Sequence, residues 1–307
     1  MTIGIGLVGL GKIARDQHLP TIARTEGARL VAVATRNGEA EGVPTYRDLG
    51  AMLAAEPGVD AVVMCQPPQV RFEAARTAIE AGKHVFLEKP PGATLSEVEA
   101  LIGLAKARGV TLFASWHSRE AGGVAPARGW LARAELHKVA IAWKEDVRVW
   151  HPGQTWIWEP GGFGVFDPGI NALSILTAIL PGTVRLTAAT LETPSNRQAP
   201  IAAQLTMQTA AGIPIAAEFD FRQTGPQSWD IRVETAQGEL LLSHGGEALE
   251  IAGQTQQLAG GGEYAGLYRR FVELVRSGAS DVELAPLRLV ADAFLCGKRV
   301  EVAAFEE

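Results

Sequence analysis

Cysteine is nearly missing: 307 residues hold two, Cys65 and Cys296. No disulfide framework can be built from so few, and a reducing, cytoplasmic compartment suits such a chain. Positive charge is short as well. Lys and Arg number 28 against 34 Asp and Glu, a formal net charge of −6. Phosphate binding normally shows as a basic surface, so no nucleic-acid partner is expected. Long apolar runs are also absent. No stretch reaches the ~18 uninterrupted apolar residues of a membrane span. The apolar start MTIGIGLVGLGKI lacks the basic leader and small-residue cleavage site of a secretion signal. No membrane partner and no metal site are expected, and neither a repeat nor a low-complexity tract is present.

The composition is that of an ordinary globular protein, 47% apolar and 20% charged. Its length fits two domains with separate cores. Ile3 to Val8 reads as a buried strand, and Gly9-Leu10-Gly11-Lys12-Ile13-Ala14 completes G-x-G-x-x-A directly behind it. Helical spacing from Ile13 to Arg24 supplies the strand–turn–helix context that the motif requires. Gly9 permits the tight turn, and Gly11 lets backbone approach a pyrophosphate where Lys12 and Ile13 open the helix. Ala14 allows close helix–strand packing. Glycine turns of this kind are common, so the motif alone is weak. Short apolar strands downstream give it weight: Leu30–Ala34, Asp60–Cys65, His84–Leu87 and Thr111–Ala114, separated by helical segments. That alternation implies an α/β, doubly wound parallel sheet, a Rossmann domain.

The second strand ends in Ala34-Thr35-Arg36. NAD-preferring sites place an Asp or Glu there for the ribose 2′-OH. Arg36 instead pairs well with a 2′-phosphate, and Thr35 can donate to it, which favours NADP without excluding NAD. The plain alternative is a solvent-facing loop arginine. Gln66-Pro67-Pro68 and Glu88-Lys89-Pro90-Pro91 follow the third and fourth strands, at the carboxyl edge where open sheets bind ligands. Lys89 puts a titratable amine there, suited to proton transfer with a hydroxyl. Alone it would read as a solvated loop lysine. His117, after the fifth strand, is either a substrate-hydroxyl contact or a histidine satisfied within a core.

Residues Trp143 to Asn171, WKEDVRVWHPGQTWIWEPGGFGVFDPGIN, hold four of the seven tryptophans, mixed with Glu145, Asp146, His151, Glu159, Asp167 and Asn171. Neither a period of 2 nor of 3.6 persists through the run. Aromatic faces beside carboxylates, an imidazole and an amide suit a sugar, which offers CH faces to stack and hydroxyls to hydrogen-bond. The bland alternative is a buried aromatic cluster with its polar atoms satisfied. Asp167 and Asn171 are four apart and would share a helix face. Asp167-Pro168 also reads as a plain N-cap and N1 pair.

Around this block, Ala121 to Ala134 has helical composition and a strand is expected over His137 to Val147. Thr190–Glu192, Ile201–Gln208, Pro214–Phe221, Trp229–Thr235 and Glu239–Ser243 suit an antiparallel sheet. Two helices, Tyr264 to Arg276 and Pro286 to Val300, are expected to close the chain.

With E-K-P after the fourth strand, G-x-G-x-x-A and the P-P loop in place, the chain resembles the Gfo/Idh/MocA oxidoreductases over nearly its whole length. The resemblance implies a Rossmann domain over residues 1–118 and an α+β domain over residues 119–307. The latter would carry an open, mostly antiparallel sheet that binds substrate and joins copies into a homo-oligomer, a dimer. It implies that Lys89 is the catalytic lysine. The family's usual D-x-G-x-H reads here Asp167-Pro168-Gly169-Ile170-Asn171, so its acid–base histidine is replaced by asparagine. The block W-K-E-D-V-R-x-W-H-P-G-Q-x-W-I-W-E-P-G-G-x-G-V-F-D-P-G-I-N is similar to that of family members that oxidise L-arabinose or D-galactose at C1 with NAD(P). This implies an aldose substrate oxidised to its lactone, with Lys89 or Asp167 taking the O1 proton and Asn171 orienting the hydroxyl. His117, Glu145, Trp150, His151 and Trp158 would then hold the ring. A dehydrogenase of another sugar or polyol is the nearest alternative. A non-catalytic dinucleotide sensor is more distant, because Lys89 and Asp167 are both retained.

Overall fold

The computed structural model describes residues 2–306. Two compact units are present. One comprises residues up to His117 together with Tyr264–Glu283; the other comprises Ser118–Glu263 and the residues from Leu284 onward. The expectation that everything after residue 118 belongs to the second domain is therefore corrected. Residues 264–283 return to the first unit, because that helix carries an apolar stripe that the first unit buries.

The first unit is a six-stranded parallel sheet. Its strands are β1 (Ile3–Val8), β2 (Ala28–Ala34), β3 (Thr45–Tyr46), β4 (Ala61–Met64), β5 (His84–Glu88) and β6 (Leu112–Ser115), in the order β3-β2-β1-β4-β5-β6. β1, β4 and β6 are buried at every position, as strands covered on both faces must be. Helices α1 (Leu19–Arg24), α2 (Leu49–Ala55), α3 (Arg71–Glu80) and α4 (Leu95–Arg108) alternate with them. The chain runs outward from β1 to β3, then crosses back to β4, which opens a crevice at the carboxyl edge. The expected helix from Ile13 to Arg24 is present, with a π-type turn over Ala14–His18 leading into α1, and the last residue of that turn, His18, is fully buried. One core face joins Ile3, Ile5, Leu7 and Phe86 to Tyr264, Leu267, Tyr268 and Phe271 of the late helix Glu263–Ser277. Those positions recur at three- and four-residue spacing, one stripe of an amphipathic helix.

The second unit holds α5 (Val124–Leu131), β7 (Leu136–Lys144), a short α6 (Val147–Trp150), α7 (Phe166–Ile179), β8 (Val184–Pro194), β9 (Ala202–Thr209), β10 (Pro214–Asp220), β11 (Ser228–Thr235), β12 (Gly238–Ser243), β13 (Ala248–Ile251) and β14 (Gln254–Thr255). The late helix being α8, the chain continues with α9 (Ala285–Cys296) and β15 (Lys298–Val302). The nine strands lie in the order β14-β13-β12-β11-β7-β10-β9-β8-β15, antiparallel except for β7–β10 and β8–β15. The last helix was expected to reach Val300; it stops at Cys296, and the alternating Lys298–Val302 pairs with β8 instead. Helices α5, α7 and α9 pack on one another and against the sheet. α7 is the most buried of them. Gly169 lets the Phe219 ring pack close against it; a Cβ would stand 3.1 Å from that ring.

Candidate functional site

In the first unit, a cleft of about 730 Å³ lies along the carboxyl edge of the sheet. Gly9, Gly11, Thr35, Arg36, Gln66 and Pro67 all line it. Gly9 has φ +93°, and a Cβ would come within 3.0 Å of the Gln66 amide nitrogen, so both the turn and the close approach require glycine. A Cβ on Gly11 would meet no protein atom within 4 Å, which leaves open room against the backbone. The Gln66 Oε1 is buried without a hydrogen-bond partner. A glycine-floored crevice with guanidinium side chains fits a dinucleotide phosphate backbone, and the orphaned acceptor suits a donor such as a ribose hydroxyl.

Other expected cofactor contacts are placed differently. Lys12 is exposed and paired with Asp16, and Ile13 is also exposed; neither lines the cleft. Pro68 is buried. The Thr35 hydroxyl is engaged by its own loop, accepting from the Asn37 amide at 3.2 Å and donating to the Asn37 carbonyl at 3.1 Å. Arg47, from the turn after β3, lines the cleft and was not anticipated. Its signal was hidden because a two-residue strand leaves too little pattern to read.

Glu88 is corrected most. Its side chain is buried rather than cleft-facing, and its carboxylate accepts from the Lys89 amide at 2.7 Å and the Tyr264 hydroxyl at 2.7 Å. His18 Nε2 lies 3.0 Å from the same carboxylate, and its Nδ1 lies 2.7 Å from the Tyr268 hydroxyl. Burial alone would lower the His18 value, but Cys65 and Glu88 outweigh it and raise the imidazole to about 10. Burial would likewise raise Glu88; hydrogen bonding and charge from His18, with His117 and Tyr264, bring it down to about 2. The pair is imidazolium and carboxylate at neutral pH. Arg71 donates to the main-chain carbonyls of Glu88, Pro90 and Gln66. Lys89 is thereby fixed at its backbone from both sides, and the Lys89–Pro90 bond is cis. His117 stacks on Tyr264 at 5.6 Å between ring centroids.

In the second unit, the Trp-rich block delivers a connected polar group. Glu145, just beyond β7, is 2% exposed at its side chain. Its carboxylate accepts from Trp229 Nε1 at 2.8 Å and faces His151 Nε2 at 2.9 Å. A carboxylate only accepts, so Nε2 carries the proton and Nδ1 of a neutral ring presents a lone pair. That Nδ1 is buried without a hydrogen bond and stands 3.6 Å from Asp167 Oδ2. Taking a carboxylate out of water costs several kcal/mol, whereas each hydrogen bond returns about 1 kcal/mol. Two buried carboxylates on one imidazole are thus poor stabilisers of the fold.

Asp167 sits in the first turn of α7, whose N-cap position is Val165, so the N-cap reading does not hold. Asn171 follows one turn later, half-buried on the same face. Trp150 is 41% exposed and tilts against Trp229, with ring centroids 4.7 Å apart; Trp229 in turn stacks on Trp143 at 6.0 Å. Trp229 was not anticipated as a site residue. Its place follows from register, because Trp229 pairs with Trp143 across β11 and β7. Trp158, expected to face substrate, is buried against Phe221, Phe305 and the Arg197 guanidinium. The short helical turn Thr155–Trp158 leaves the ring buried.

Comparison with known proteins bears on both units. A family profile described as oxidoreductase family, NAD-binding Rossmann fold, matches residues 3–115. The chain is similar to the galactose 1-dehydrogenase of Pseudomonas fluorescens, 48% identical over 303 residues, covering 99% of this chain and 98% of that one. A crystal structure of D-galactose-1-dehydrogenase from Rhizobium etli matches with a TM-score of 0.95 and 57% identity, over 99% of this chain and 98% of the other. A 3-ketoreductase from Actinomadura kijaniata, solved with NADP and TDP-benzene, has a TM-score of 0.86 at 19% identity, over 98% of this chain and 100% of its own. That last likeness is one of fold alone.

Proposed function

The chain belongs to the Gfo/Idh/MocA oxidoreductase family, and from that premise we propose an NAD(P)-dependent aldose 1-dehydrogenase for sugars with the D-galactose ring configuration. The observation that carries the substrate class is the run Glu145–His151–Asp167 beside the Trp150–Trp229 pair. It combines an apolar ring face with directional acceptors, as a pyranose requires. The reaction opens the C1–H and O1–H bonds of a cyclic aldose and gives the aldonolactone. When bound, the dinucleotide supplies the hydride acceptor, and NADP is the preferred form because Arg36 stands where an NAD site carries a carboxylate.

The chain supplies the rest. Lys89 and Asp167 are the two groups proposed to take the O1 proton, with Asn171 orienting that hydroxyl. Glu145 and His151 hold ring hydroxyls, Trp150 and Trp229 cover the ring, and His117 adds a polar contact. We also assign a cytoplasmic homodimer built through the nine-stranded sheet. Its exposed positions carry Lys144–Glu218, Lys138–Glu234 and Arg232–Glu239 ion pairs, a wet and polar face. Light scattering on the purified chain reads its mass.

L-arabinose and D-galactose share configuration from C2 to C4 and differ by the group on C5. Such a difference is worth about 1–3 kcal/mol in a pocket. Both sugars should be oxidised, with specificity constants within about two orders of magnitude. D-glucose, the C4 epimer of D-galactose, leaves a buried partner unpaired and should be clearly worse. Initial rates of NADP reduction on the three sugars decide it, and glucose as the best substrate overturns the reading.

A further inference from the structure

We propose that Arg47 is a second anchor for the cofactor's 2′-phosphate, acting with Arg36 as a two-armed clamp; the inference rests on the NADP reading above. The two arginines are distant in sequence and adjacent in the sheet. β2 pairs with β3 through Ala34 opposite Tyr46, and the Thr35 amide donates to the Tyr46 carbonyl at 2.8 Å. Arg36 and Arg47 therefore leave the carboxyl edge on neighbouring chains, and both line the same cleft.

Each arm stands on a fixed base. Thr35 and Asn37 close a small hydrogen-bonded turn around Arg36. On the other side, Tyr46 donates to Glu56 at 2.7 Å and Asp48 caps α2 by accepting from the Ala51 amide at 2.8 Å. The two carboxylates on the cleft wall are committed elsewhere, Asp48 to that cap and Glu73 to Arg76 at 2.7 Å. Arg76, Arg148, Arg222, Arg232 and Arg270 all hold carboxylates. Among the described residues no carboxylate comes within ion-pair distance of Arg36 or Arg47. Two such guanidiniums at one corner repel unless an anion joins them. A phosphate monoester, close to doubly charged at neutral pH, meets two planar forks well. A ribose hydroxyl offers neither the charge nor the extra acceptors.

Calorimetric titration of the whole chain with adenosine 2′,5′-bisphosphate and with AMP isolates the 2′-phosphate from the chemistry. Arg47→Ala should weaken the bisphosphate ~10- to 100-fold, the weight of a charge-assisted contact, and leave AMP within about 2-fold. Arg36→Ala should do the same, and the double variant should no longer tell the two ligands apart. Both arginines are exposed, and melting curves confirm folding. If Arg47→Ala is silent while Arg36→Ala loses the bisphosphate, the clamp is wrong and the cofactor reading stands. Equal loss of AMP and bisphosphate in Arg47→Ala places Arg47 on the adenosine and also overturns the clamp. A wild-type protein that does not prefer the bisphosphate overturns both.

Discussion

The glycine-floored cleft and the aromatic–carboxylate cluster are built by different means. In the cleft the critical parts are backbone: a left-handed Gly9, an open Gly11, and loops braced by Arg71. In the cluster they are side chains from separate elements: Glu145 after β7, His151 after α6, Asp167 and Asn171 on α7, and Trp229 on β11. Backbone recognition is written in short contiguous motifs, because neighbouring residues set one turn. Side-chain recognition is written in register and helix phase, which contiguous sequence does not display.

The largest expected effects fall on the two groups proposed to take the O1 proton. Lys89→Ala and Asp167→Ala should each lower turnover by about 10²–10⁴-fold, the usual weight of a positioned acid or base. Since Val165 holds the cap position of α7, Asp167→Ala should not carry a capping loss, and its melting temperature should stay near wild type. Near-normal turnover in either variant makes that residue structural.

A smaller effect sharpens the side-chain half. Trp229→Phe keeps a ring but removes the donor to Glu145. Leaving a buried carboxylate short of one hydrogen bond costs about 1–3 kcal/mol. The sugar KM should rise about tenfold, with the NADP KM unchanged. A matching rise in the NADP KM would show that the effect is not local to the sugar.

A further test reads the bracing beneath Lys89 through pH. His18 holds its proton in the fold to about 10, against 6.5 unperturbed. Its contribution is complete below about 6.5 and declines as pH rises toward 10. Glu88 is lowered from 4.5 to about 2, so its share is present above 4.5 and is lost only as pH falls toward 2. Urea midpoints between about pH 6 and 9.5 should fall faster for wild type than for His18→Gln. Parallel profiles would remove the ion pair from the stability of the first unit.

Much of the fold was legible because its signals are local. β1 was read to the residue, and the strands before Lys89 and His117 to within one or two positions. β3 escaped notice because two residues carry no period, and with it went Arg47. His18 was missed for another reason: its partners Glu88, Tyr264 and Tyr268 are 70 to 250 residues away, and it lies in a π-type turn where helical phase misleads. Glu88 stands beside Lys89 in the same motif and is expected to share its direction, yet successive strand residues point to opposite sides. Trp158 was misjudged similarly, since a tryptophan in a polar block looks the same whether its ring turns in or out.

The helix α8 carries a consequence for the order in which the protein is made. Tyr264 and Tyr268 complete the hydrogen bonds of Glu88 and His18, and Phe271 packs on Phe86. All three leave the ribosome after the nine-stranded sheet is nearly finished. The nascent first unit must therefore wait, with one side of its aromatic core open, while the 146 residues Ser118–Glu263 are synthesised. A gene fragment ending at His117 would produce that waiting state permanently. Supplying residues 264–283 as a separate peptide should bind it.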